Sequence, residues 1–254
     1  MTLTTYGPLC TEVYDITKPI DGDYPDVPYY IRHLSQIGGK ILEVMVGTGR
    51  LLIPLLEAGI NVEGIDASPD MLAACQKNCV ARGLNPALYQ GSVENLDLSG
   101  KFNAIIVTFG SFMLLEKREV AVAALQAFAR HLEPQGRIFM DLEIPIEDFK
   151  TENIVQQRSP INCPDGSIIL LQSTSQIDWL NQLNKTVIRY EKWQNGQLIA
   201  TELQHFPLHW FGRDEFIMLL QNNGYKDITL CANYTEGVQP TSYQDTLSFS
   251  ATLA

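Results

Sequence analysis

Nowhere does the chain hold the roughly 18 uninterrupted apolar residues that a membrane-spanning helix needs. Met1 to Cys10 lacks a basic start followed by an apolar stretch, so no secretory signal is expected. Positive charge is scarce. Lys and Arg number 18 against 29 Asp and Glu, a net charge of −11, and the cations form no cluster. Nucleic acid and anionic membranes repel such a surface, so neither is an expected partner. Cysteine is sparse too: Cys10, Cys75, Cys79, Cys163 and Cys231 make an odd, scattered set, unlike a disulfide framework. Cys75 and Cys79 can share one helical face, but no His or further Cys lies nearby, so a core role is expected and no metal. A reducing, cytoplasmic setting fits this usage. Internal repeats and low-complexity segments are also lacking.

What remains is ordinary globular material: 254 residues, 45% hydrophobic and 19% charged. That is enough chain to bury a core without staples. Residues 1–35, rich in Tyr, Pro and Asp, read as a loop with a short helix near Tyr29 to Leu34. A regular alternation then begins. Ile41 to Val46 is a short apolar run that reads as a buried parallel strand, followed by Gly47-Thr48-Gly49 and by Leu51, Leu52, Leu55 and Leu56 at helical spacing. Pro54 predicts a distorted start to that helix. Asn61 to Ile65 is a second strand. Ser68-Pro69 predicts a helix start, Ser as N-cap and Pro in the first turn, and Gly83 a left-handed close. Strands follow at Ala87 to Gln90, Phe102 to Phe109 and Arg137 to Leu142, with a helix over Val120 to Leu132. Strand and helix alternating through short connections imply a parallel sheet covered on both faces.

After Pro145 the period changes. Ile168 to Leu180, Lys185 to Trp193 and Leu198 to Phe206 read as strands, the last two joined by the hairpin signal Asn195-Gly196. Arg213 to Asn223 returns to a helix, and Tyr225 to Cys231 and Asp245 to Leu253 complete the chain as strands. The predicted fold is α/β: a doubly wound, seven-stranded, mostly parallel sheet with an inserted antiparallel β meander. Residues 1–37 form an N-terminal lid segment, 38–150 and 211–254 a core, and 151–210 a cap.

The chemistry concentrates at the ends of the first two strands, where open parallel sheets bind ligands. Gly47 lets backbone approach a ligand without an intervening Cβ, and Asp66 can accept both hydroxyls of a ribose. A dinucleotide fingerprint would need a third glycine where Leu52 stands, which disfavours a nicotinamide-dependent oxidoreductase.

In this region the sequence resembles class I S-adenosylmethionine-dependent methyltransferases. Glu43-Val44-Met45-Val46-Gly47-Thr48-Gly49-Arg50 is similar to their first motif and Gly64-Ile65-Asp66-Ala67-Ser68-Pro69-Asp70-Met71-Leu72 to their second. Gly91 to Leu96, Phe102 to Ile105 and Leu132 to Arg137 are similar to the later ones. The meander and Thr108 to Phe112 resemble the small-molecule branch that includes glycine and amino-sugar N-methyltransferases, whose substrate chamber such an insertion roofs. The resemblance implies a Rossmann-like fold and S-adenosylmethionine as cofactor. It implies Gly47 and Gly49 along the methionine, with Glu43 orienting that loop or the amine. Asp66 would bind the ribose, Ala67 and Met71 would lie near adenine, and Ser92 and Val93 at its edge. Phe109 would sit beside the methionine, and Tyr14 would close over it. Met45, Ser92 and Asn103 depart from the family's usual Gly, Asp and Asp.

Methyl transfer to N or O of a small molecule then needs mainly alignment, at about 3–3.5 Å, and desolvation. His209 and Tyr14 are the candidate catalytic groups, and His205 is a second candidate base. Trp179, Tyr190, Trp193, Trp210 and Phe211 could cage an amine, though packing of the meander explains each one better. A catalytically silent cofactor-binding sensor or partner subunit is the alternative reading. The uncovered edge of the meander leaves a homodimer open.

Overall fold

The computed structural model describes residues 6–254. Seven strands make the main sheet: β1 (Ile41–Val44), β2 (Val62–Asp66), β3 (Leu88–Gln90), β4 (Phe102–Val107), β5 (Leu132–Leu142), β11 (Tyr225–Ala232) and β12 (Leu247–Leu253). Their order is β11-β12-β5-β4-β1-β2-β3, parallel throughout except that β12 runs antiparallel to both neighbours. β1 lies between β2 and β4, so the strand order reverses at its carboxyl end. That is the crevice expected to hold a ligand.

All four residues of β1 are buried, because both faces of the sheet are covered. Leu42 and Val44 point to one side, packing with Leu125 and Phe128 of α5 (Arg118–His131) and with Phe216 and Leu220 of α7 (Arg213–Asn222). Ile41 points to the other, with Leu52 and Leu55 of α3 (Leu52–Glu57), Cys75 and Cys79 of α4 (Pro69–Ala81), and Tyr30 and Leu34 of α2 (Asp26–Leu34). The two cysteines are therefore core residues. Ser68 caps α4, its Oγ accepting from the Met71 N–H at 3.1 Å, with Pro69 in the first turn. Pro54 sits in the first turn of α3, where its missing N–H costs least. The Pro134-Gln135-Gly136 turn lies inside β5 as an irregularity: Gln135 takes φ 64°, and pairing with β4 jumps from Phe102–Leu132 to Ala104–Arg137.

The second sheet is antiparallel: β6 (Gln156–Gln157), β8 (Ile168–Asp178), β9 (Leu183–Gln194) and β10 (Gln197–His209), ordered β10-β9-β8-β6, with β7 (Ile161–Asn162) also on β8. Asn195 and Gly196, at φ 52° and 76°, form the turn between β9 and β10. Both central residues at positive φ match the twist of the flanking strands. A five-residue helix, α6 (Ile146–Lys150), leads into this sheet.

The N-terminal segment departs from its sequence reading. Pro8–Thr17 is a helix, α1, where a loop was expected. Its face of Leu9, Cys10 and Val13 packs on Ile169, Leu171 and Tyr190 of the antiparallel sheet. Its first turn is capped from far away: the Glu202 carboxylate accepts from the Leu9 N–H at 2.8 Å and the Cys10 N–H at 3.4 Å. An anion at a helix N-terminus is favourable. On its other side Asp15 accepts from Asn78 Nδ2 of α4 at 2.9 Å. α1 thus ties the antiparallel sheet to the main one, over the carboxyl ends of β1 and β2. No helix among the described residues is long and apolar enough to cross a membrane.

Candidate active site

The chain leaves β1 through a strained turn. Met45 has φ 59°, costing about 1–2 kcal/mol for an L residue, and Gly47 follows at φ 57°. A Cβ on Gly47 would meet nothing within 4 Å, so its bare backbone faces open space. The turn is locked by Asp66, at the end of β2. Its Oδ2 accepts from the Gly47 N–H at 2.8 Å and its Oδ1 from the Ser68 N–H at 2.9 Å. Burial raises the Asp66 carboxyl while these N–H groups oppose the shift. Each oxygen keeps lone-pair capacity for a further donor, which suits a pair of ribose hydroxyls.

A cavity opens beside this turn. Gly47, Asp66, Ala67, Met71, Ser92 and Val93 all line it. These are six of the residues expected there from sequence. Gly49 is placed otherwise: it does not line the cavity, and a Cβ there would stand 3.0 Å from Cys75 Sγ and 3.2 Å from Ile53 Cδ1. Its glycine serves close helix packing. Glu43 lies beneath the turn, 3% exposed, with Oε2 unpartnered. Burial pushes its carboxyl up to about 8, against the pull of the Arg50 guanidinium. A carboxyl raised in this way favours the fold most below its ordinary 4.5, and that contribution is lost as pH rises through about 8.

A second cavity adjoins the first, and Tyr6, Tyr14, Ser111 and Leu114 line both. Tyr14, from α1, thus stands at their junction. Burial raises its hydroxyl, and the Arg50 guanidinium, hydrogen-bonded to it, opposes that. Phe109 lines the second cavity rather than the first. It is held in a left-handed conformation, φ 57°, by its N–H donating to Asp141 Oδ2 at 3.1 Å. Asp141, fully buried on β5, also accepts from Tyr30 at 2.9 Å and Tyr234 at 3.2 Å. Burial raises its carboxyl to about 7 despite these donors. The Phe109 ring lies between Arg50, 4.6 Å from its centroid, and Lys18, 4.9 Å. Arg50 in turn makes a buried two-point pair with Asp26 at 3.0 and 2.5 Å, fastening α2 to the motif turn.

His209 is corrected by the structure: it lines neither cavity. It is 2% exposed, stacked on Phe211 with centroids 4.7 Å apart, and its Nδ1 lies 3.4 Å from the Leu115 carbonyl. Both histidines lie on β10, where four residues span about 13 Å. His205 reaches the first cavity and contacts Glu116 at 3.2 Å, while His209 lies past its wall. His131 is buried, with Nδ1 hydrogen-bonded to the Ala127 carbonyl at 2.8 Å. Of the five aromatics weighed as a cage, only Tyr190 lines a chamber; Trp210 and Phe211 belong to the core. Asn103 is structural, its Oδ1 accepting from the Lys40 N–H at 3.0 Å. Tyr6, Ser111 and Leu114 were missed, since no local pattern marks them.

The donor set fits a methionine-derived nucleoside. A bare glycine turn, a carboxylate placed for a ribose and the apolar Met71 and Val93 line one cavity, and its lining includes Asp66 and Glu94 but no Lys or Arg. That sign of charge suits a sulfonium ligand. The fold is that of class I methyltransferases, and the site suits S-adenosylmethionine as cofactor. Comparison with known proteins agrees. Residues 41–136 match the methyltransferase domain family. The chain is 24% identical to the putative methyltransferase YqeM of Bacillus subtilis, over 84% of this chain and 83% of that one. It is 32% identical to dTDP-3-amino-3,6-dideoxy-alpha-D-glucopyranose N,N-dimethyltransferase of Streptomyces fradiae, where the match covers only 54% of each chain. The CcbJ methyltransferase structure from Streptomyces caelestis shares the fold at TM-score 0.79 and 20% identity, covering 100% of both chains.

Proposed function

We propose that the protein transfers a methyl group from S-adenosylmethionine to N or O of a small-molecule acceptor held in the second cavity. The observation that carries this reading is the pair of contiguous chambers, one lined by the motif residues and one roofed by the antiparallel sheet, meeting at Tyr14. The sugar N,N-dimethyltransferase relative favours nitrogen as the acceptor atom. Of the N-terminal segment α1 acts as the lid, while α2 belongs to the core, and residues 151–210 act as a cap.

The cofactor supplies an already electrophilic methyl group. The chain's own residues therefore orient and desolvate. Asp66 and Gly47 fix the cofactor end, Tyr14 and Phe109 shape the junction, and Leu171, Ile188 and Phe206 make much of the acceptor chamber apolar. An acceptor held in line with that methyl would need a neutral lone pair, and its proton would leave to solvent. His205, half-buried beside Glu116, lines the cofactor chamber and not the acceptor chamber, so no base role falls to it. Calorimetric titration with S-adenosylhomocysteine tests the reading. Wild type binds saturably, and Asp66→Ala weakens binding by about 100-fold, the loss of two charge-assisted hydrogen bonds. Binding without turnover across amine, hydroxyl and carboxylate metabolites would instead favour a silent module. No binding at all would remove both readings.

A further inference from the structure

We infer that the acceptor carries an anionic group, a phosphate or a carboxylate, held by Lys18 and Arg158. The inference rests on the methyl-transfer reading of the two chambers. Their walls differ in charge. Among the described residues, the only Lys or Arg side chains lining either one are Lys18 and Arg158, and both line the second. Among the described residues Glu143 is the one carboxylate that lines this cavity, already accepting from Thr246 Oγ1 at 3.3 Å. In a chain of net charge −11, a cavity wall on which cations outnumber carboxylates runs against the average.

Neither cation is consumed by the fold. Among the described residues neither forms an ion pair, whereas Arg50, Lys192 and Arg118 each do. Lys18 rests over the Phe109 ring, which fixes its stem and leaves the ammonium's donors to the chamber. Arg158 is exposed at the chamber's edge. Its charge offsets, without contact, part of the upward push that burial gives Asp148. The two residues come from opposite sides, Lys18 from the end of α1 and Arg158 from the segment between β6 and β7. An anion between them would also pull lid and cap together. Arg offers a planar fork and Lys a point charge, a pairing that suits phosphate or carboxylate oxygens. The arrangement separates the ligands by sign: the sulfonium enters the acidic chamber, and an anionic acceptor is drawn to the basic one.

The test uses the full chain saturated with S-adenosylhomocysteine, titrated calorimetrically with inorganic pyrophosphate and, separately, with succinate. At least one is expected to bind saturably, with affinity falling as salt is raised. The double variant Lys18→Gln, Arg158→Gln should lose about tenfold in that affinity, the sum of two partly exposed charge contacts. Its affinity for S-adenosylhomocysteine, measured in the same cell, reports that the variant is folded. Pyrophosphate alone binding would assign a phosphorylated acceptor, and succinate alone a carboxylate. Two results would overturn the proposal: neither anion binding the wild type, or the double variant binding as well as the wild type. Failure of S-adenosylhomocysteine itself to bind would strike the methyl-transfer reading instead.

Discussion

The two chambers sit side by side but are built in opposite ways. The cofactor chamber draws its motif residues, Gly47 through Val93, from the ends of three neighbouring parallel strands, close together in sequence. Its decisive contacts, such as Asp66 to the Gly47 and Ser68 N–H groups, span at most 19 residues. The acceptor chamber is assembled from α1, the segment after β4, and β8 to β10, and the carboxylate that caps α1 comes from 193 residues away. A site made of local turns is fixed by backbone geometry. One made of distant elements depends on how those elements dock, and specificity for the acceptor can change there without disturbing the cofactor.

The largest expected effect comes from a residue that links the motif turn to α2 and to Phe109 of the second chamber. Arg50 pairs with Asp26 in the interior and stacks on Phe109. Arg50→Ala should cost about 3–5 kcal/mol, because it strands a buried carboxylate. Chemical denaturation would read this directly. A loss below about 1 kcal/mol would mean that the two halves are not joined through this pair.

A smaller change should touch only the distant chamber. Glu202→Ala leaves the Leu9 and Cys10 N–H groups of α1 without their acceptor, at a cost of about 1–2 kcal/mol. Hydrogen exchange should then quicken across residues 8–17 while 41–136 keep their protection. Equal quickening in both would contradict the division into a local and a distant chamber.

The same division explains what could be read from the sequence. Ser68-Pro69 and Asn195-Gly196 are local signals with local causes, and both stand where they were expected. The motif residues around Asp66 were legible because their chemistry requires them at strand ends. α1 was not. Its ten residues include four β-branched ones, Thr11, Val13, Ile16 and Thr17, that favour strands, and its stability comes from Leu9, Cys10 and Val13 docking on a sheet that lies over 150 residues on. His209 was misplaced for a related reason. A spacing of four means one face of a helix but about 13 Å of a strand, enough to carry it past the chamber wall. Lys18 and Arg158 are ordinary in sequence and come together only where α1 and the segment between β6 and β7 border the second cavity.

The smallest expected effect lies on the local side, at Met45. This residue holds φ 59° where L side chains are strained, and it lines the cofactor cavity. Met45→Gly removes that strain, worth about 1–2 kcal/mol, but glycine gives back roughly 0.5–1 kcal/mol through the entropy of the unfolded chain. Met45 is also partly buried against the core, so some apolar contact is lost. The terms nearly cancel, and stability should change by less than about 1 kcal/mol. S-adenosylhomocysteine should still bind, because the Asp66 and Gly47 contacts do not use the Met45 side chain. Anion binding in the acceptor chamber, whose wall Met45 does not touch, should be unchanged. A Met45→Gly variant that bound S-adenosylhomocysteine normally but lost anion binding would show that the chambers communicate through the turn after β1.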